Sequence, residues 1–88
     1  IPVIASLNGA SPGGWVRHAR SIANAGADAI ELNIYLLPID PRVSGSAIEE
    51  RHVELLQEVR EQVSIPIAVK LGPYFSSLPH FAHRLEEA

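Results

Sequence analysis

Ile65-Pro66-Ile67-Ala68-Val69-Lys70-Leu71 restates, 64 residues downstream, the pattern of Ile1-Pro2-Val3-Ile4-Ala5-Ser6-Leu7. Both runs are apolar, of strand length and rich in β-branched residues. Between them Ala29 to Ile34 reads as another strand, and helical patterns follow each of the three. Strand–helix alternation with short apolar strands predicts parallel βαβ units, an α/β fold. The offset of 64 residues is two units of 32, which suits a (β/α)8 barrel of about 250 residues. A doubly wound sheet shows the same alternation, and the repeat favours the barrel. Residues 1–88 are thus expected to be a single piece of a TIM barrel, about three consecutive βα units.

Helix signals fill the gaps. Ser11-Pro12 offers an N-cap followed by proline at the first helical position. Trp15, Ala19, Ile22 and Ala23 recur at helical spacing, with Trp15 as an anchor between helix and sheet, and Gly26 suits a helix stop. Ser46-Ala47-Ile48-Glu49 fits a capping box. After it Val53, Leu56, Val59 and Val63 form an apolar stripe with Leu55 beside them, and His52 packs at its edge. Ser76 or Ser77 is expected to cap the last helix, whose buried stripe is Leu78, Phe81, Ala82 and Leu85. The loop of about a dozen residues after the second strand, with Pro38, Pro41 and Gly45, exceeds the usual ~2–6 and points to function.

Composition excludes several classes. Hydrophobic content of 47% is too high for a disordered chain. The absence of cysteine rules out disulfides and thiolate metal sites. A net charge of −3 gives no basic face for nucleic acid. No apolar run approaches the ~20 residues of a membrane span, so a cytoplasmic protein with no membrane partner is expected. The chain opens on a strand without an initiator Met and stops inside a helical pattern, so it reads as cut from a larger protein. Alone it is expected to be inactive.

Strand side chains alternate between faces. Val3, Ala5 and Leu7, then Ile30, Leu32 and Ile34, then Ile67, Val69 and Leu71 form the all-apolar set, expected against the helices. The other set points inward and includes Ser6, Glu31, Asn33 and Lys70. Ser6, Asn33 and Lys70 should lie at similar heights near the carboxyl ends of their strands, where barrel enzymes keep their active sites. Lys70 is the only lysine in the chain. An ammonium in an apolar strand needs a partner. Either it bridges to Glu31 as a structural pair, or it serves a ligand. Polar groups converging in apolar strands are what a polar-ligand pocket requires.

With these residues in place, the chain resembles the dihydroorotate dehydrogenase family. Pro2-Val3-Ile4-Ala5-Ser6-Leu7, Ala27-Asp28-Ala29-Ile30-Glu31-Leu32-Asn33 and Val69-Lys70-Leu71-Gly72-Pro73-Tyr74-Phe75 occur in that family's order and spacing. The similarity is nearest the soluble, fumarate-linked class and its dihydroorotate dehydrogenase-like relatives. It implies an FMN-dependent oxidoreductase of pyrimidine biosynthesis acting on a small-molecule substrate, with the intact protein a homodimer. Lys70 would lie by the flavin N1–C2 carbonyl edge and favour the anionic reduced ring. Asn33 would touch flavin and substrate, and Ser6 would line the FMN pocket. The FMN phosphate would be held by later barrel units.

The chain departs from the family after Asn33. A Ser- or Cys-containing segment followed by Pro-Asn usually supplies the catalytic base and a substrate-holding Asn. Here the segment is Ile34-Tyr35-Leu36-Leu37-Pro38-Ile39-Asp40, with Leu36 nearest the base position. Leucine cannot take a proton. Tyr35 is inward by alternation and stands as the substitute catalytic residue, although its ordinary pKa of ~10 opposes the role. Asp40 is a second candidate, with a turn-forming role as its simpler reading. Two other functions stay open: a relative that kept the scaffold and lost dihydroorotate oxidation, and a Schiff-base synthase or aldolase using Lys70 as the amine. His18, His52, His80 and His83 form no metal-ligand set by spacing.

Overall fold

The computed structural model describes residues 1–8, 12–34 and 37–88. Six elements alternate: β1 (Ile4–Leu7), α1 (Pro12–Asn24), β2 (Ala29–Ile34), α2 (Gly45–Gln62), β3 (Ile67–Leu71) and α3 (Leu78–Glu87). The strands form one parallel sheet in the order β1-β2-β3. This is the architecture of a stretch of (β/α)8 barrel wall. No described helix is long and apolar enough to cross a membrane.

The apolar parity turns to the helices. Leu7, Ile30 and Leu32 are buried with Trp15 and Ala19 of α1, Val53, Leu55, Leu56 and Val59 of α2, and Phe81 and Leu85 of α3. Ile34, Ile67, Val69 and Leu71 pack on that cluster from the same face. The opposite face is open: Ile4 is 64% exposed, and Ser6, Ala68 and Lys70 are exposed too. Parallel sheets ordinarily bury both faces, so the inner face of this wall is a surface that needs a cover.

Several boundaries move from where the sequence suggests. β1 begins at Ile4, not Ile1, because Ile4 pairs with Ala29, the first residue of β2. Val3 is instead clamped by Asp28: its N–H donates to Asp28 Oδ2 at 2.7 Å and its carbonyl accepts from Asp28 N at 2.9 Å. With no ladder beyond it, Val3 is exposed rather than packed on the helices. β3 begins at Ile67, since Pro66 has no N–H to give; its carbonyl accepts from Ile30 N at 2.9 Å.

Helix ends follow local chemistry. Pro12 opens α1, and its expected cap Ser11 lies outside the described residues. α1 closes in a Schellman turn, with Ala27 N donating to Ile22 O and Gly26 N to Ala23 O, which demands the left-handed φ of +97° that Gly26 adopts. α2 starts earlier than the predicted box. Its cap is Ser44, whose Oγ accepts from Ala47 N at 3.2 Å, leaving Ser46 inside the first turn. Ser77 occupies the N-cap position of α3, yet no side-chain hydrogen bond caps it. On α3 only Phe81 and Leu85 are buried; Leu78 is 40% exposed and Ala82 is exposed. β3 ends the sheet here, so that flank of α3 has no strand beneath it. It borders a cleft of about 690 Å³ between α2, β3 and α3.

His52 is 3% exposed. Its Nδ1 lies 2.8 Å from Ile48 O, one helical turn back, and its ring meets Phe75 and Phe81 edge-on. Packing is its role, as its position on the stripe suggests. His83 pairs with Glu87 at 3.3 Å and reaches Glu86 at 4.0 Å.

Candidate functional site

The polar parity of the three strands reaches the open face together. Asn33 and Lys70 are register partners near the carboxyl ends of β2 and β3. Ser6, however, is the partner of Glu31, one side-chain step below Asn33. A step of two residues is about 6.6 Å along a strand, so Ser6 is not level with Asn33 and Lys70 as its parity alone suggests. Parallel register is offset by what precedes each strand, and the Val3–Asp28 clamp sets it here.

Ser6 and Glu31 form their own pair, Ser6 Oγ donating to Glu31 Oε1 at 3.0 Å. No ion pair between Glu31 and Lys70 forms among the described residues, which answers the structural-bridge reading of Lys70. The residue level with Asn33 on the β1 side is Asn8, which accepts from Asn33 Nδ2 at 2.6 Å through its Oδ1. The sequence reading passed over Asn8, although it continues the inward parity of Ile4 and Ser6.

The described residues therefore present two polar tiers. The lower holds Ser6 and Glu31; the upper holds Asn8, Asn33 and Lys70. Glu31 and Asn33 are half-buried in the central strand, whereas Asn8 and Lys70 are exposed at its flanks. The upper tier offers amide hydrogens, amide oxygens and an ammonium side by side. That donor set suits the carbonyl–N–H–carbonyl edge of a heteroaromatic ring, such as a flavin's pyrimidinedione. The residues present fit that end of FMN.

Candidates for a base fare unequally. Tyr35 and Leu36 lie outside the described residues. Asp40 is tied down. Its Oδ1 accepts from Arg42 N at 3.0 Å and Arg42 Nε at 3.1 Å, and its Oδ2 from Arg42 Nη2 at 3.1 Å. Its carbonyl accepts from Val43 N at 3.1 Å. Asp40 thus closes a turn, and the side-chain bonds from Arg42 hold its carboxyl below the ordinary value of 3.8. The same pairing raises Arg42. A carboxylate whose lone pairs are engaged by guanidinium and backbone is a weak proton acceptor.

No family model matches the chain. Individual proteins do. The provisionally named dihydroorotate dehydrogenase A (fumarate) of Aeropyrum pernix is 34% identical over 93 aligned positions, covering 100% of this chain and 29% of its own length. The catalytic subunit of dihydroorotate dehydrogenase B (NAD(+)) of Methanothermobacter thermautotrophicus is also 34% identical, over 91 positions, with 100% and 29% coverage. That of Thermoplasma acidophilum is 28% identical over 92 positions, with 99% and 29% coverage. The chain therefore spans under a third of the length of the relatives it matches.

Proposed function

This chain is homologous along its whole length to one stretch of the dihydroorotate dehydrogenases, and on that premise we propose that the intact protein is an FMN-dependent oxidoreductase. The upper tier of Asn33 and Lys70 carries the reading. Two polar side chains in register, at the carboxyl ends of otherwise apolar strands, sit where a barrel enzyme meets its ligand. Lys70 supplies positive charge to the pyrimidinedione end of FMN, Asn33 orients flavin and substrate, and Ser6 supports them from the tier below through Glu31. FMN, when bound, supplies the hydride acceptor. The protein would be cytoplasmic and, when intact, homodimeric.

In oxidation of dihydroorotate to orotate, one carbon gives up a proton to a base and its neighbour gives a hydride to flavin N5. Tyr35 is the proposed base, as the polar inward residue that follows β2. Asp40 is not proposed, because Arg42 occupies it.

A second reading has specific support: a flavoprotein that no longer oxidises dihydroorotate. Leu36 stands where relatives carry Cys or Ser, and the neighbouring carboxylate is locked in a turn. Both readings predict a yellow protein. The test is the visible spectrum of the intact protein, followed by anaerobic titration with dihydroorotate. Flavin bands that bleach on titration support the dehydrogenase, and bands that persist support the second reading. A colourless protein that takes up no added FMN refutes both. Lys70→Ala should weaken FMN binding at least tenfold, as expected for losing a charge-assisted contact of about 1.5–3 kcal/mol.

A further inference from the structure

Asn8 lies just beyond β1 and shares the inward parity of Ser6. Its Oδ1 accepts from Asn33 Nδ2 at 2.6 Å, and Asn33 is the register partner of Lys70. Asn8, Asn33 and Lys70 therefore form one row across all three strands. A side-chain amide has a donor end and an acceptor end, and engaging one decides what the other presents. With its nitrogen turned to Asn8, Asn33 leaves its Oδ1 to accept. With its oxygen engaged, Asn8 keeps its own amide hydrogens to donate. Lys70 can only donate. Read across the strands, the row is donor, acceptor, donor.

The pyrimidinedione edge of a flavin is the complement: C4 carbonyl, N3–H, C2 carbonyl. We infer that Asn8 is a positioning residue that fixes the polarity of the Asn33 amide, so that Asn33 Oδ1 accepts from the flavin N3–H between flanking donors. This rests on the flavin reading above and deepens it. The reversed amide would set N–H against N3–H and forfeit the central hydrogen bond while leaving that site desolvated.

The experiment uses the intact protein with isotope-labelled FMN, reading the N3 resonance by nitrogen NMR and FMN affinity by flavin fluorescence. Asn8→Ala should move the N3 resonance toward that of a flavin lacking this hydrogen bond and weaken FMN about five- to tenfold, the scale of one lost hydrogen bond. Asn8→Asp should behave differently. Its carboxylate still accepts from Asn33 Nδ2 but has no amide hydrogen to donate, so the N3 resonance stays as in the unaltered protein while affinity falls. An Asn8→Ala protein with unchanged resonance and affinity overturns the inference and leaves the flavin reading standing. A displaced N3 resonance in Asn8→Asp overturns it as well, and that variant decides alone if Asn8→Ala does not fold. Failure of the unaltered protein to bind FMN would instead remove the flavin reading and this inference with it.

Discussion

Phe81→Ala is the sharpest test of how the third unit is held. Phe81 is 0% exposed. Its ring centroid lies 4.4 Å from that of Phe75 at 37°, and 5.5 Å from His52 at 84°. Through this cluster α3 grips both α2 and the segment that follows β3. The other buried side chain of α3 is Leu85, at 8% exposure. Arg84 adds ion pairs to Glu50 at 2.7 Å and Glu49 at 3.8 Å, each worth about 0–1 kcal/mol near the surface. Removing a fully buried phenyl ring costs about 3–5 kcal/mol through lost transfer energy and the cavity left behind. The aromatic pairs sit at the upper part of that range, so about 4 kcal/mol is expected. That is a large share of the ~5–15 kcal/mol that holds a domain folded. Urea unfolding of the intact protein measures it, with a lowered midpoint at unchanged slope. Leu78→Ala, on the same helix but 40% exposed, should cost under about 1 kcal/mol. If Phe81→Ala costs no more than Leu78→Ala, the packing argument for α3 is wrong.

Three smaller perturbations check local claims. Gly26→Ala should destabilise by about 1–2 kcal/mol from backbone strain alone, because φ is +97° and no atom lies within 4 Å of the added carbon; thermal melting reads the loss. Ser44→Ala should cost about 1 kcal/mol and Ser46→Ala distinctly less, since Ser44 Oγ is the acceptor for Ala47 N; equal losses in urea unfolding would return the cap to Ser46. Arg42→Ala should raise the Asp40 carboxyl toward 3.8, as the bonds that lower it are removed. Because the folded value is the depressed one, the Asp40–Arg42 pairing helps stability above the ordinary carboxyl range and is lost as pH falls through the folded value; carbon NMR of the Asp40 carboxyl follows the shift.

Element order and facing were legible in the sequence, because burial is periodic. Alternation in Ile67-Ala68-Val69-Lys70-Leu71 assigns each side chain to a face without knowing what covers that face, and the structure agrees for all three strands. The Schellman stop at Gly26 was legible for a similar reason: a left-handed backbone is a local demand that glycine answers. Pairing the candidate residues was another matter. Register depends on where β1 starts against β2, and that is set by the contact of Val3 with Asp28, 25 residues away. That contact drops Ser6 to the level of Glu31 and lifts Asn8 beside Asn33. Parity along a strand is intrinsic to its geometry, whereas height across strands is a property of the hydrogen-bonded ladder. The sequence by itself therefore determined which residues could face a ligand, and only the tertiary structure decided which of them stand side by side.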